Sequence, residues 1–159
     1  MIDPILELAH DHRELNGLLV AVHEALSRVE RGRSRLEDEL HEIRDGVEAF
    51  REALLEHFAV EQEALLPFVV ARLPAMQARA DGIIADHEQI AEVLTAVLRD
   101  LAAAEAGGGL GEWSRRLASL EELYASHTKT ELAFLQDVAS SLASDRTATE
   151  QLRSLLDHT

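Results

Sequence analysis

Four histidines occupy the same phase of four separate apolar seams, and two of them are followed four residues later by glutamate: His12, His57-x-x-x-Glu61, His87 and His127-x-x-x-Glu131. A helix turns about 100° per residue, so positions four apart share a face about 6 Å apart along the axis. Each H-x-x-x-E therefore aims an imidazole and a carboxylate at the same space. A lone histidine on an apolar seam is more often a satisfied core residue, and a single (i, i+4) His–Glu pair also stabilises a solvated helix face. Two such pairs plus two phased histidines, on seams where charge is costly, favour a binuclear metal site instead. Two bridging carboxylates would give each ion two oxygens, and four imidazoles divided evenly add two nitrogens apiece. A six-coordinate ion then keeps about two positions, one for a shared oxo or hydroxo bridge and one for an exogenous molecule. Such ligands suit iron or manganese, and also zinc. A redox-active pair with an open position is suited to O2, H2O2 or NO, whereas a structural zinc site is normally closed and mononuclear.

These residues need four helices to carry them. Asp3-Pro4 opens the first, with a side-chain cap and proline at the first helical position. Its seam runs Ile5, Leu8, His12, Leu15, Leu19, Val22 and Leu26, in steps of three and four. Gly32 lies in the polar run that ends it, and Ser34 with Glu37 predicts a capping box for the second helix. That seam is Leu36, Leu40, Ile43, Val47, Phe50, Leu54, His57 and Glu61, extending towards Phe68, with a break at Leu73-Pro74. The third helix starts either near Pro74 or after Asp81-Gly82, with Ile84, His87, Ala91, Leu94, Leu98 and Leu101 inward. Gly107-Gly108-Gly109 and Gly111 mark a loop, after which Trp113, Leu117, Leu120, Tyr124, His127, Glu131, Phe134 and Val138 form the fourth seam. A short amphipathic tail follows, with Thr147 and Glu150 as its capping box. Short loops make consecutive helices antiparallel, so the expectation is a single all-α domain over residues 1–159: an up-down-up-down four-helix bundle with a short C-terminal helix. Counted from the loops at 1.5 Å per residue, the six polar seam residues fall in about one layer.

Composition bounds the function. The 159 residues are 47% hydrophobic with 4% aromatics and three prolines, which favours helix around a substantial core. A net charge of −15 disfavours phosphate backbones and anionic lipid, so nucleic acid and membrane surfaces are not expected partners. With no cysteine, thiolate metal sites, iron–sulfur clusters and c-type haem are excluded. The N-terminus MIDPILELAH lacks the pattern of a secretion signal, and a cytoplasmic location is the default expectation. Among the other polar residues, His10 lies off the seam as a solvated group or a hydrogen-bond partner of a ligand. His23 is about 16 Å along the axis from His12, and His41 and His158 read as surface. Tyr124, one turn before His127, is either a core aromatic or a hydrogen-bond partner near the metals.

The segments DHREL around His12, HFAVEQEALLPFV around His57 and Glu61, DHEQI around His87 and HTKTELAFL around His127 and Glu131 resemble the hemerythrin-like, or HHE cation-binding, family across nearly the whole chain. The resemblance implies a left-handed bundle holding a non-haem di-iron centre bridged by the two glutamates. It also implies binding or sensing of O2, NO or iron, or decomposition of peroxide. Oxygen-carrying members have a further histidine one turn after the third-helix ligand, where this chain has Ala91, and they place an aspartate at a longer spacing after the fourth-helix histidine. Those departures leave positions open on both irons and shift the expectation from oxygen storage to catalase-like, oxidase or nitric oxide chemistry. The competing expectation is a reversible O2, NO or iron sensor or carrier. Ferritin-like sites use Glu-x-x-His, and only the off-seam Glu7-x-x-His10 fits that spacing.

Overall fold

The computed structural model describes residues 4–156, with side chains described from residue 11. Asp3 and His158 lie outside the described residues, and the side chains of Ile5, Glu7, Leu8 and His10 lie outside the described side chains. Helix α1 spans Pro4–Glu30, α2 Leu36–Val60, α3 Leu66–Arg72, α4 Gln77–Glu105, α5 Leu110–Leu142 and α6 Arg146–Leu156. No strand occurs among the described residues. The four long helices form the expected antiparallel bundle: α1 packs chiefly on α2, α4 on α5, and α1–α5 and α2–α4 contacts close the square. Helix α6 crosses one end, touching α1, α5 and the segment between α2 and α3.

The seams hold with one shift of phase. In α1, Leu15, Leu19, Val22, Ala25 and Leu26 are buried, and in α5 the whole expected set from Trp113 to Val138 is buried. In α4 the buried line is Ala80, Ile83, His87, Ile90, Leu94, Val97, Leu101 and Ala104. The expected Ile84, Ala91 and Leu98 are only half-buried, one residue off this line. Both lines contain His87, Leu94 and Leu101. The strict alternation of three and four places Ile83, Ile90 and Val97 between them on the bundle axis.

Helix ends explain the other corrections. Helix α1 ends at Glu30, and Gly32 in the turn after it has a φ of 67°, a left-handed conformation that suits glycine. Arg35, extended, is the N-cap of α2 and makes no side-chain cap bond, so Ser34 and Glu37 do not form the expected box. The Arg35 carbonyl instead accepts from the Asp38 and Glu39 amides. Helix α4 begins at Gln77 after a single 3-10 turn at Pro74–Met76, which places Gly82 inside it rather than at its start. The cap of α6 is Asp145, whose carboxylate accepts from the Ala148 amide at 2.9 Å, not Thr147.

The second helix is not continuous. Residues Glu61–Leu65 form a π-helical turn, in which the Leu66 amide donates to the Glu61 carbonyl five residues back. Pro67 follows directly, without an amide proton to continue an α ladder. His57, Glu61, Leu65 and Val69 are all buried at steps of four. In an unbroken α-helix three such steps would rotate about 120° off the face. The wider turn takes up the extra residue and keeps both sides of the helix on the bundle axis. For the same reason Val69, along with Leu66, is buried beyond it, and the expected Phe68 is only half-buried.

Two apolar clusters result. One contains Leu15 to Leu26, Ile43 to Phe58, Ile90 to Leu101 and Trp113 to Tyr124; the other contains Leu65, Leu66, Val69, Ala80, Ile83, Phe134 to Leu142 and the buried face of α6. The α1–α2 pair is close-packed, so a Cβ at Gly46 would lie 2.6 Å from Val22 Cγ2. Gly46→Ala is therefore expected to lower stability by about 1–3 kcal/mol. Gly82→Ala, at an exposed helical site with open space around it, should raise stability by about 0.5–1 kcal/mol. Denaturant unfolding of both variants, with Val22→Ala added to the first to relieve it, decides this. A stabilising Gly46→Ala would refute the contact.

Candidate metal centre

Between the two apolar clusters lies a polar layer. His12, His57, Glu61, His87, His127 and Glu131 are all buried, none more than 6% exposed. One comes from α1, one from α2, one from the π-turn, one from α4 and two from α5. The expected agreement in height holds, and the His12 and His57 rings stand 5.2 Å apart, with His87 and His127 at 4.8 Å.

The carboxylates lie between the two histidine pairs. Glu61 Oε1 is 3.0 Å from His57 Nε2, and its Oε2 is 3.1 Å from His87 Nε2. Glu131 Oε2 is 3.1 Å from His12 Nε2 and 3.2 Å from His127 Nε2. Each glutamate thus joins one member of the His12/His57 pair to one of the His87/His127 pair. None of these Nε2 or carboxylate atoms makes a hydrogen bond, although all are shut off from solvent. Buried polar atoms left so are costly. Ligand atoms about 2.1 Å from a metal and at right angles to one another stand about 3.0 Å apart. The spacing and the missing hydrogen bonds both fit cations between the donors. Two overlapping groups could hold them: His12, His57, Glu61 and Glu131, and Glu61, His87 and His127.

Without a cation the charges are set by burial and by neighbours. Burial opposes protonation of His57, but the Glu61 carboxylate outweighs it and holds the pKa up at about 9. Burial pushes His87 down to about 3, helped by repulsion from His127. His127 is raised, burial being overcome by Glu131. Glu61 is lowered: burial works against its charge, while Glu131, His57 and His127 favour it.

The surroundings orient the rings. The Phe58 ring stacks on His87 at 3.7 Å and meets His127 edge-on at 5.5 Å. The Gln62 side-chain amide lies 2.9 Å from His87 Nδ1. The atom placed there is the amide nitrogen, which donates to Nδ1; a metal on Nε2 would leave the proton on Nδ1 and call for the amide oxygen in its place. Asp86 Oδ2 lies 3.7 Å from His127 Nδ1. Sequence reasoning missed Phe58, Gln62 and Asp86. The adjacency of Phe58 to His57, Gln62 to Glu61 and Asp86 to His87 was the available signal. Tyr124 is buried with its ring 6.3 Å from His12, edge-on. His23 is exposed beside Glu121, and His41 is exposed beside Asp45.

Two surface grooves reach the layer, both on the His12/His57 side. One, of about 520 Å³, runs between α1 and α2 past Asp11, Glu14 and Glu56 to His57. The other, of about 580 Å³, runs between α1 and α5 past Arg13, Asn16, Tyr124 and Thr128 to His12.

A helical bundle whose polar layer supplies four imidazoles and two shared carboxylates defines a metal-binding bundle protein. The model of the hemerythrin HHE cation-binding domain matches residues 3–133. The chain belongs to this hemerythrin family. No curated protein and no solved structure matches it significantly. No helix among the described residues is long and apolar enough to cross a membrane.

The metal-free protein should be most stable near pH 6.5. His57 has a folded pKa of about 9, above its ordinary 6.5. Its contribution is therefore fully present below about pH 6.5 and lost as pH rises through 9. His87 has the opposite sign: with a folded pKa of about 3, it costs stability as pH falls below 6.5, where the unfolded chain takes up a proton that the fold refuses. The lowered Glu61 extends this acid arm below its ordinary 4.5, and the raised His127 adds to the alkaline arm. Urea unfolding of chelator-treated protein between pH 5 and 9 measures it, and a His57→Gln variant should weaken the alkaline arm, leaving the part carried by His127. A flat profile would contradict these charge assignments.

Proposed function

We propose that the layer holds two iron ions, one on His12 and His57 and the other on His87 and His127, with Glu61 and Glu131 bridging. The observation that carries this reading is the placement of the two glutamates, each within 3.2 Å of one histidine from either pair. The all-nitrogen and oxygen donor set suits iron, and also manganese or zinc. A paired iron centre supplies reversible two-electron redox chemistry and a place for a small ligand or an oxo or hydroxo bridge. The protein's own residues then have separate tasks. The carboxylates would neutralise both ions, Gln62 would fix the His87 ring, Asp86 sets a negative charge 3.7 Å from His127 Nδ1, and Phe58 walls the His87/His127 side with hydrocarbon.

The activity we infer is binding or reaction with O2, H2O2 or NO, with peroxide or nitrosative-stress chemistry the favoured role. Its support is the pair of grooves leading to the His12/His57 side, since a closed structural site would need neither.

Iron content of anaerobically purified protein should be two per chain, and its absorbance should change on adding O2, NO or H2O2. Peroxide consumed catalytically supports turnover; a lasting oxygen adduct inert to peroxide would favour a carrier, and zinc alone with no spectral response would defeat the proposal. Glu61→Ala and Glu131→Ala should each lose at least half of the bound iron, because each removes a bond to both ions and leaves two dications less neutralised. His23→Ala, exposed and remote, should keep it. Equal retention in all three, measured by elemental analysis, would be evidence against bridging.

A further inference from the structure

The α1–α5 groove ends at two neighbouring hydroxyls that make no well-formed hydrogen bond. Tyr124 is buried, and its OH and Thr128 Oγ1 are both shielded from solvent without a hydrogen bond of good geometry. They are one helical turn apart on α5, close enough for the Thr128 hydroxyl to polarise the phenol. A buried tyrosine usually finds a partner for its hydroxyl. Here the phenol sits instead beside His12, in a groove of about 580 Å³ that opens to the surface.

Three alternatives for the phenol are weaker. As a core residue it would need no groove beside it, and phenylalanine would fill the space without an orphaned donor. As a general base it would have to ionise, yet burial pushes its pKa well up, with Glu131 and Glu61 adding repulsion. A neutral phenol there keeps its proton and can donate it. As a metal ligand it would compete with imidazoles and carboxylates that already share the layer. What remains is a phenol whose neighbouring Thr128 hydroxyl is poorly placed to take its proton, and which can give that proton to an acceptor in the groove.

We propose that the α1–α5 groove is the ligand pocket of the centre, and that Tyr124 donates a hydrogen bond to the outer atom of a small ligand held on the His12 side. Thr128 is a positioning residue that turns the phenol proton into the pocket. The ligand class is a small molecule or anion with a hydrogen-bond acceptor at the end away from the metal: azide, peroxide or superoxide fit, and carbon monoxide, a poor acceptor, does not. The α1–α2 groove is less suited to such anions, because Asp11 and Glu56 carry negative charge along it. This inference rests on the metal reading proposed above.

The test uses azide as the probe on diferric protein, comparing wild type with Tyr124→Phe and Thr128→Val. Azide affinity should fall about tenfold in Tyr124→Phe, the effect of one hydrogen bond to a charged acceptor. Thr128→Val should give a smaller loss. The azide stretching band should shift between H2O and D2O in wild type and stop shifting in Tyr124→Phe. Iron per chain and helical content should be unchanged in both variants. Unaltered azide affinity and isotope response in Tyr124→Phe would overturn the donor role while leaving the iron reading intact. A phenolate charge-transfer band in wild type, lost with some iron in Tyr124→Phe, would overturn it by making Tyr124 a ligand. Wild-type protein without an iron pair would overturn the metal reading, and this inference with it.

Discussion

Everything in this molecule is arranged around four imidazoles and two carboxylates kept out of water. An unpaired ion in such surroundings costs several kcal/mol even after relaxation, and here six ionisable side chains share one layer. Part of that cost is offset within the layer, as the opposite shifts of His57 and His87 record. The remainder shows as donor and acceptor atoms that face one another without hydrogen bonds. A cation between them satisfies the lone pairs and the charge together.

The apolar structure follows from this demand. The polar layer interrupts what would otherwise be one long bundle core, leaving a cluster on either side. One is built by the long helices alone. The other depends on α6, whose Ala148, Leu152 and Leu156 close the end that the bundle would leave open. The family match ends at residue 133, so the whole of α6 and the α5 residues Phe134 to Leu142 that it packs with lie beyond it. Phe58 links the two requirements, being part of the core and also the wall against His87 and His127.

Much of this was legible in the residues. Helical periodicity located all four long helices, and phase alone picked out the six layer residues, because a polar side chain on an apolar seam is costly enough to be informative. The glycine run and Leu73-Pro74 marked their turns. Periodicity could not separate Ile83 from Ile84 or Ile90 from Ala91, since adjacent apolar residues fit the pattern equally well until the partner helices are in place. Capping boxes at Ser34 and Thr147 failed because the same residue types also suit turns, and the backbone chose Arg35 and Asp145 instead. The positions of Gln62 and Asp86 relative to the rings depend on how separate helices meet, which no local pattern carries.

The π-turn at Glu61–Leu65 has a consequence for how this chain can vary over generations. A single-residue deletion in a helix ordinarily rotates everything after it by about 100°, and a bundle rarely survives that. Here one surplus residue is already stored beside Glu61. Losing it would relax the turn into a plain α-helix with Glu61 still on His57's face. Leu65 and Val69 would then stand seven and eleven residues from His57, within about 20° of the same face. A one-residue loss at this point is thus absorbed by the turn itself, and a bundle that would fail from such a deletion elsewhere keeps both its layer and its capped end.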